Sequence, residues 1–540
     1  MQTTAKPHLY SLSHRGYIQG LTFSAAATDT PLCHFFGNLR YGLPPSQRWR
    51  RASSLPYDYS YGTKEEPGKC DKGAGVCPQP AFLGPVDKSG WSEDCFQVNV
   101  WVPVGDSPEG GWPVLFYIHG GWLQFGSPNG FSGVGLLGDS PVSAIIVMPA
   151  YRLNVFGFLY SSELEHDAAT AGETTGNHGF WDQRLALEWT RDNIRLFGGN
   201  AENITVGGYS AGAYSTFHQL TYDLSLPPQQ SIIRKACIWS NSPAAQPKHP
   251  PEAQTQFNAL LSHLNIPTTL PDSEKLSRLR ALDPDTLLTA ATSTQFHQYR
   301  PTSDSTFVSK DLFKSLENGD FARRFKNRNI KLLLGETCNE PKLYSLWFPP
   351  EANTLDALRT RLIAEYPTST VDALLPLYYP DGKLPPGQEN WDSDAFGRVY
   401  ADMQVYKMQR GLIHSLVSHG VPDSSIYRYR VEMRLKCAEK QIPIEWGVTH
   451  ATDHFIWFWG NGEVLQEREK GIVERALIGP LARFLNGERD IGWGTSSHRH
   501  MRVLKGNGEV GIWEDAFWDE AMRVWGAVPE IRDGRGSARL

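Results

Sequence analysis

Residues 204–212 read Ile-Thr-Val-Gly-Gly-Tyr-Ser-Ala-Gly, and the prediction of the fold starts from this stretch. Its last five residues, Gly208 to Gly212, are the only Gly-x-Ser-x-Gly of the chain. An apolar run precedes them, as a buried strand would, and a helical stretch of small residues follows. A serine on a strand-to-helix turn has strained backbone angles, and side chains two residues before or after it would collide. The stretch therefore predicts that Ser210 is a nucleophile on such a turn, where the helix dipole favours developing negative charge.

Short apolar runs on both sides of this stretch are typical of strands that are buried on both faces. They occupy residues 114–118, 144–148 and 330–334, whereas residues 98–102 alternate polar and apolar side chains, which also suits a strand. Residues 182–194 have helical spacing, and we expect Phe197-Gly198-Gly199-Asn200 to stop that helix. Strands that alternate with helices predict the α/β class with a mostly parallel sheet.

The 540 residues are expected to form a single domain over residues 1–540, because large α/β enzymes often spend such length on insertions around one sheet. Helical patterns with proline-rich turns fill residues 225–330 and residues 345–440. We expect both segments to be helical insertions that cover one face of the sheet and supply a lid and substrate walls.

Composition argues against several classes of protein. The formal net charge is -6, and no block of Lys and Arg occurs, so nucleic acid is not an expected partner. The sequence contains no run of 18 apolar residues, so we expect no membrane span. The seven cysteines lack metal-ligand spacing, so neither a zinc site nor a disulfide scaffold is expected. We expect no metal and no cofactor, and the oligomeric state cannot be predicted.

The N-terminal residues contain no apolar signal-peptide core, which favours an intracellular, cytoplasmic protein. Two alternatives stay open. The C-terminal Ala538-Arg539-Leu540 is similar to a peroxisomal tripeptide, and the protein would be secreted if a signal peptide had been removed.

A second glycine motif, His119-Gly120-Gly121-Trp122, follows the apolar run at 114–118. Acyl transfer builds negative charge on a carbonyl oxygen, and backbone N–H groups aimed at that oxygen stabilise it. Glycine lets the backbone approach closely. We expect an oxyanion hole made of the N–H groups of Gly121, Trp122 and Ala211.

With these motifs in place, the chain resembles the type-B carboxylesterase and cholinesterase family of α/β-hydrolases, and its fungal and bacterial carboxylesterases more than true cholinesterases. Further family motifs are dense up to about residue 215. They occur at residues 36–45, 92–95, 151–159, 176–184 and 193–200. Most are scaffold, and Arg152 and Asp182 among them are expected to form a buried ion pair.

The resemblance implies the order of a catalytic triad, Ser then Glu then His. The family acid lies five residues after a glycine at a strand end, which corresponds to Glu340 rather than Glu336. The family base lies in a "G-V-x-H-G-x-E" motif, here Gly447-Val448-Thr449-His450-Ala451-Thr452-Asp453, and this assigns His450. The implied fold is a central, mostly parallel twisted sheet flanked by helices.

The sequence departs from the family pattern at the site. Tyr209 stands where most members carry Glu, which argues against a cationic substrate, and Trp122 replaces the third glycine of the oxyanion motif. Cys77 and Cys95 match cysteines that form a bridge in many relatives, although a cytosolic form would keep them reduced. The candidate walls of the substrate pocket are five residues: Trp122, Phe125, Tyr209, His454 and Trp457.

These features predict a serine carboxylic ester hydrolase that acts through an acyl-enzyme on a neutral, apolar small-molecule ester. The same triad would serve an amidase, lactonase, thioesterase or acyltransferase, and the sequence does not separate these activities. A non-catalytic binding protein on the same scaffold is the third alternative, although such proteins lose the catalytic serine that is present here.

Overall fold

The computed structural model describes residues 2–537 and contains a 13-stranded sheet, with a separate pair formed by β4 and β5. The strands in chain order are β1 Thr3–Ser11, β2 Tyr17–Ala25, β3 Pro31–Arg40, β4 Gly42–Leu43, β5 Ser53–Ser54, β6 Gly68–Lys69, β7 Gln97–Pro103, β8 Trp112–Ile118, β9 Ile145–Pro149, β10 Gly199–Tyr209, β11 Lys235–Trp239, β12 Lys331–Thr337, β13 Ile426–Val431, β14 His500–Leu504 and β15 Val510–Glu514.

The sheet has a parallel centre and antiparallel margins. Its order is β1-β2-β3-β7-β9-β8-β10-β11-β12-β13-β14-β15, and β6 pairs with β2. Neighbours from β9 to β14 in this order are parallel, whereas β7 pairs antiparallel with β9 and β15 antiparallel with β14. The extended parallel centre confirms the predicted α/β class.

Helices pack against this sheet. Their bounds are α1 Val134–Gly138, α2 Asn154–Phe158, α3 Ser162–Ala169, α4 His178–Asn193, α5 Ala211–Ser225, α6 Pro250–His263, α7 Asp272–Arg280, α8 Pro284–Thr292, α9 Leu312–Glu317, α10 Asp320–Asn327, α11 Pro341–Tyr344, α12 Leu355–Glu365, α13 Thr368–Tyr378, α14 Phe396–Ala401, α15 Lys407–Ser418, α16 His454–Trp457, α17 Glu467–Val473, α18 Gly479–Asn486, α19 Trp518–Ala527 and α20 Pro529–Ser537.

The core lies on both faces of the sheet. Along β8, Val114, Phe116 and Ile118 belong to one cluster of buried apolar side chains, and Leu115 and Tyr117 belong to the other. Successive side chains of a strand point to opposite faces, so each cluster covers one face. This arrangement explains why the central strands are continuously apolar in sequence.

Strands β7, β8, β9 and β12 confirm the predicted strands, and β10 is longer than predicted because it begins at Gly199. Helix α4 begins four residues earlier than expected and ends at Asn193, followed by a 3-10 turn over Ile194–Phe197. Gly198, at φ 80°, then reverses the chain into β10, as the glycine signal predicts.

The bounds expected for the two helical insertions are wrong. The 225–330 segment contains strand β11 and the 345–440 segment contains strand β13, and both strands are in the central sheet. Each strand is short and lies among helical, proline-rich stretches, so its apolar run does not stand out in the sequence. The helices of these segments are α6–α10 and α12–α15.

Arg152 and Asp182 form the buried ion pair expected from the sequence. The guanidinium donates from Nε and Nη2 to the two carboxylate oxygens at 2.8 and 2.7 Å, and the backbone N–H of Arg152 donates to Asp182 at 3.1 Å. The pair anchors the N-terminal part of α4 to the segment that follows β9. Its role is structural, because neither side chain bonds to Ser210 or His450.

Cys77 and Cys95 are buried free thiols that lie next to each other. The thiol of Cys77 also accepts a hydrogen bond from the backbone N–H of Leu153 at 3.3 Å.

Among residues 2–537, no helix has both the length and the apolar character needed to cross a membrane. The tripeptide Ala538-Arg539-Leu540 lies outside the described residues.

We expect Asp182→Asn to lower the free energy of unfolding by about 3–5 kcal/mol, because it leaves the Arg152 cation buried without its counter-ion. Urea denaturation followed by tryptophan fluorescence measures the change. Asp29→Asn is the matched control, since Asp29 pairs with Lys6 at an exposed site and its loss should cost less than about 1 kcal/mol. Equal losses in the two variants would contradict the structural role.

Candidate active site

Ser210 lies on the turn between β10 and α5, with φ 56° and ψ -125°. Its N–H donates to the carbonyl of Trp239 at the end of β11, at 2.9 Å. A Cβ on Gly208 would lie 2.1 Å from the carbonyl oxygen of Gly212, and a Cβ on Gly212 would lie 1.9 Å from that of Ile118. Both contacts are impossible, so the collision predicted from the sequence is present at both glycines.

The three residues predicted as a triad meet in space. The imidazole of His450 is 2.8 Å from the Ser210 hydroxyl through Nε2, and 2.6 Å from the Glu340 carboxylate through Nδ1. The other carboxylate oxygen of Glu340 accepts from the N–H of Thr337 at 2.8 Å. The side chains of His450 and Glu340 are buried. This arrangement can move a proton from the serine hydroxyl to an imidazole held in one orientation.

The chain segments after β12 and β13 bring Glu340 and His450 together. The N–H of Asn339 donates to the carbonyl of Val448 at 3.1 Å, and the N–H of Leu343 donates to the hydroxyl of Thr449 at 3.1 Å. Because β10, β12 and β13 are parallel, Ser210, Glu340 and His450 all follow carboxyl ends of strands. Such ends are where open α/β sheets place their sites.

Glu336 has a different environment from Glu340, which supports the assignment of Glu340 rather than Glu336 as the acid. Its carboxylate pairs with Arg410 at 2.7 Å and with Arg430 at 2.5 Å. Arg410 also pairs with Asp515, so Glu336 belongs to a buried ionic network. It makes no contact with His450 among the hydrogen bonds of residues 2–537.

The loop that carries the predicted oxyanion N–H groups lies next to Ser210. A Cβ on Gly120 would lie 3.0 Å from the Cβ of Ser210. Gly121, Trp122 and Leu123 all have positive φ, at 107°, 54° and 65°. In the described part of the chain, the N–H groups of Gly121, Trp122 and Ala211 donate to no protein acceptor, which leaves them available to an oxyanion.

Trp122 and Phe125 belong to an aromatic cluster beside the oxyanion loop. The ring of Trp122 stacks on Trp347, with centroids 4.7 Å apart and planes 13° apart. Phe82 meets Trp122 edge-on at 5.1 Å, and Phe125 lies 5.7 Å from it. Trp347 follows the segment that carries Glu340, so three separate parts of the chain form this cluster.

Of the other three candidate wall residues, Tyr209 and His454 form a pair of neighbouring rings near His450. The rings of Tyr209 and His454 are 5.1 Å apart, and Tyr209 is 5.3 Å from His450. Burial lowers the pKa of His454 to about 3, so its ring is neutral. Trp457 has no exposed surface and packs against Trp239 and Tyr429, which are core surroundings.

Sequence reasoning missed two polar groups at the site. The hydroxyl of Tyr344 lies close to the side chain of Ser210, and Asn241 donates to it at 3.4 Å. Tyr344 also lies with its ring 4.7 Å from that of His450. Its position four residues after Glu340, one helical turn on, is the only sequence signal that could have found it.

Asp453 is the second missed group. Its carboxylate accepts hydrogen bonds from the hydroxyls of Tyr209, Ser240 and Tyr429. Tyr209 also accepts from the N–H of Ala451, which has φ 76° where the family motif has glycine. Asp453 stands at the acidic position of that motif, so the motif itself was the available signal.

Burial raises the pKa of Asp453 from 3.8 to about 6, and the nearby charge of Glu340 acts in the same direction. The hydroxyls of Tyr209 and Ser240 oppose this rise, because they donate to the ionised form. Asp453 therefore changes charge in the range where an imidazole of ordinary pKa also titrates.

Comparison with known proteins agrees with this geometry. Residues 8–507 match the model of the carboxylesterase family. The chain belongs to this family. A carboxylic ester hydrolase of Gibberella moniliformis is 43% identical over 530 residues, covering 96% of each chain. An uncharacterized esterase/lipase of Schizosaccharomyces pombe is 37% identical over 544 residues, covering 98% of each chain. The protein is accordingly an ester-hydrolysing enzyme, and a catalytic triad and an oxyanion hole are typical of its family.

Solved structures show the fold of this carboxylesterase. The crystal structure of Aspergillus niger EstA superposes with a TM-score of 0.74 at 19% identity, covering 98% of this chain and 99% of that one. A PNB esterase structure superposes with a TM-score of 0.70 at 22% identity. The protein thus has the α/β-hydrolase fold. Among residues 2–537, no group of three or more His, Cys, Asp or Glu side chains could hold a metal ion.

Asp453 should make stability depend on pH. Between about pH 4 and 6 the folded protein holds a proton that the unfolded chain releases, so this carboxyl lowers stability as the pH rises. The Asp453→Asn variant lacks this carboxyl group, and the asparagine amide does not titrate in this range. Its free energy of unfolding relative to the wild type should rise from pH 4 to pH 7 by on the order of 3 kcal/mol, then level off.

Urea denaturation at a series of pH values measures this difference. Ser240→Ala is the companion variant, because it removes a hydroxyl that lowers the pKa of Asp453. The stability of Ser240→Ala should therefore keep falling to a higher pH than that of the wild type. Parallel curves for Asp453→Asn and the wild type would show that Asp453 does not titrate in this range.

Proposed function

We propose that this enzyme hydrolyses carboxylic esters with a Ser-Glu-His triad of Ser210, Glu340 and His450, through an acyl-enzyme intermediate. The observation that supports the proposal most directly is the position of His450. One imidazole nitrogen is 2.8 Å from the Ser210 hydroxyl, and the other is 2.6 Å from the Glu340 carboxylate. A base held between a nucleophile and an acid in this way is the arrangement that activates serine.

In the proposed reaction, Nε2 of His450 takes the hydroxyl proton of Ser210 as Oγ attacks the ester carbonyl. Glu340 holds the proton on Nδ1 and stabilises the imidazolium that forms. The tetrahedral intermediate collapses, and His450 gives its proton to the departing alkoxide, which leaves as the alcohol. Water then loses a proton to His450 and attacks the acyl-enzyme, which releases the carboxylic acid and restores the Ser210 hydroxyl.

The oxyanion of each tetrahedral intermediate would be held by the N–H groups of Gly121, Trp122 and Ala211. Their freedom from protein acceptors supports this role, since N–H groups that are already bonded could not stabilise new charge. Ala211 is also the first residue of α5, so the helix dipole adds to the effect.

The proposed substrate is a neutral, apolar small-molecule ester. The rings of Trp122, Phe125, Trp347 and Phe82 supply an apolar surface beside the oxyanion loop. Tyr209 donates to Asp453 instead of placing a carboxylate next to Ser210, so a cationic alcohol gains no counter-ion from this position. An amidase, lactonase, thioesterase or acyltransferase activity would use the same groups, and the experiment below can detect it.

We expect the wild type to hydrolyse p-nitrophenyl acetate, butyrate and octanoate. Ser210→Ala should reduce kcat by at least about 10⁴-fold, because it removes the nucleophile. Release of p-nitrophenol measures the rate, and mass spectrometry after treatment with diethyl p-nitrophenyl phosphate should find the added diethylphosphoryl group on Ser210. Ser215→Ala is the matched control, because it removes another buried serine hydroxyl, five residues further on in helix α5.

The outcomes separate the alternatives. A wild type that is labelled at Ser210 but turns over none of these esters would support Ser210 as the nucleophile. The substrates to test next would then be amides, lactones, thioesters and acyl acceptors. If Ser210 is neither labelled nor needed for turnover, the esterase mechanism is wrong. A loss in Ser215→Ala as large as in Ser210→Ala would point to a general loss of structure.

Trp122→Gly should widen the pocket without removing the proposed oxyanion donor. The backbone N–H stays, and glycine adopts the φ of 54° at this position without strain. The ratio of kcat/KM for octanoate to that for acetate should rise by about 10-fold or more, because the removed ring frees space for several methylenes. Trp457→Phe is the control, and an equal shift in that variant would contradict the placement of the pocket beside Trp122.

A further inference from the structure

The oxyanion loop is held by a buried cation from a distant part of the chain. The guanidinium of Arg300 donates from Nη1 to the carbonyl oxygen of Trp122 at 2.9 Å. The amide of Gln124 donates to the same oxygen at 3.3 Å. Arg300 lies in the segment between α8 and α9, and it is almost fully buried. A charge-assisted bond to one carbonyl is a strong way to fix a loop.

This loop needs an external restraint. Trp122 and Leu123 both have left-handed backbone angles, with φ of 54° and 65°, and neither is glycine. Such a conformation costs roughly 1–2 kcal/mol for each non-glycine residue. In the family motif a third glycine stands at position 122 and would bear no such cost. The strain therefore favours relaxation of the loop, and the bond from Arg300 opposes it.

Arg300 is itself held by a buried carboxylate. Its Nε lies 3.3 Å from Glu365, and its guanidinium lies over the ring of Tyr214 at 4.7 Å. Burial opposes the charge of Arg300, but Glu365 and neighbouring tyrosines raise its pKa above the ordinary value, so it stays protonated. Glu365 also accepts from Tyr400 at 2.5 Å and from Gln404 at 3.0 Å.

The hydrogen bonds of Glu365 also lead towards Ser210 by a second route. Gln404 accepts from Asn241 at 3.3 Å, and Asn241 donates to the hydroxyl of Tyr344, which lies close to the Ser210 side chain. One buried carboxylate is thus linked by two routes to the site, through Arg300 to the oxyanion loop and through Gln404 to Tyr344.

We propose that Arg300 and Glu365 are positioning residues for the oxyanion hole, in which Arg300 clamps the carbonyl of Trp122 and Glu365 orients Arg300. The proposal rests on the proposed function for its effect on turnover. Neither side chain touches the reacting atoms. The clamp keeps the N–H groups of Gly121 and Trp122 directed at the oxyanion, and a donor is effective only at about 2.7–3.1 Å from it.

The test compares Arg300→Met, Arg300→Lys and Glu365→Gln with the wild type. Arg300→Met should lower kcat by roughly 10- to 100-fold with KM changed less than about threefold, because the loop stabilises the transition state rather than the bound ester. Affinity for an alkyl trifluoromethyl ketone, which forms an oxyanion on serine, should fall in parallel. Arg300→Lys can still donate to the Trp122 carbonyl, so it should recover part of the loss.

Arg184→Met is the matched control. Arg184 is also a buried arginine, paired with Asp223 at 2.8 Å, and it makes no contact with the oxyanion loop. We expect it to be destabilised as Arg300→Met is, but to keep the wild-type kcat. Hydrogen exchange of the peptide that covers residues 119–125 should speed up in Arg300→Met and Glu365→Gln, and not in Arg184→Met.

Hydrogen exchange does not require turnover of an ester, so the proposed function and the proposed clamp can fail separately. If the wild type neither turns over esters nor is labelled at Ser210, the proposed function fails, and faster exchange at 119–125 in the two clamp variants would still support the clamp. If the wild type is active and the clamp variants match Arg184→Met in kcat and in exchange, the clamp proposal is wrong. Should Arg300→Met fail to fold, Arg300→Lys and Glu365→Gln give the same comparison.

Discussion

A backbone turn with φ 56° and ψ -125° at Ser210 forms only where β10, α5 and the end of β8 are in van der Waals contact. Gly208 and Gly212 permit that contact, and the carbonyl of Trp239 fixes the N–H of the serine. The turn directs the hydroxyl away from the sheet and points the start of α5 at the same place. Every other group of the proposed site is arranged around a serine whose position is set before any substrate binds.

Buried charges surround this turn, and each is satisfied. Glu340 bonds to His450 and to the N–H of Thr337, Asp453 accepts from three hydroxyls, and Glu365 pairs with Arg300. An isolated carboxylate in such surroundings would cost several kcal/mol or take up a proton. Because the partners of these carboxylates come from separate segments of the chain, the buried charges hold those segments in one arrangement. The aromatic cluster around Trp122 lies beside these segments.

The central strands and the turn at Ser210 could be predicted, because buried parallel strands and a strained turn leave local signatures: apolar runs and obligatory glycines. Glu340 and His450 came from a family motif and not from local physics, and the structure brings both to Ser210. Strands β11 and β13 were missed inside segments predicted as helical insertions, since five or six residues flanked by helices carry little periodicity. Tyr344, Asp453 and Arg300 were also missed, because their surroundings are assembled from distant segments.

By itself, the sequence determined the α/β class, the strand-to-helix turn at Ser210 and the family, since these depend on residue types at short spacing: apolar runs, and glycines two residues from a serine. Only the tertiary structure decided which buried carboxylate pairs with arginines and which bonds to His450. Glu336 and Glu340 are four residues apart, yet one is bound by Arg410 and Arg430 and the other by His450. Arg300 meets Trp122 across 178 residues of chain. The energy of a buried charge depends on which partners the fold brings within hydrogen-bond distance, and local sequence does not contain that information.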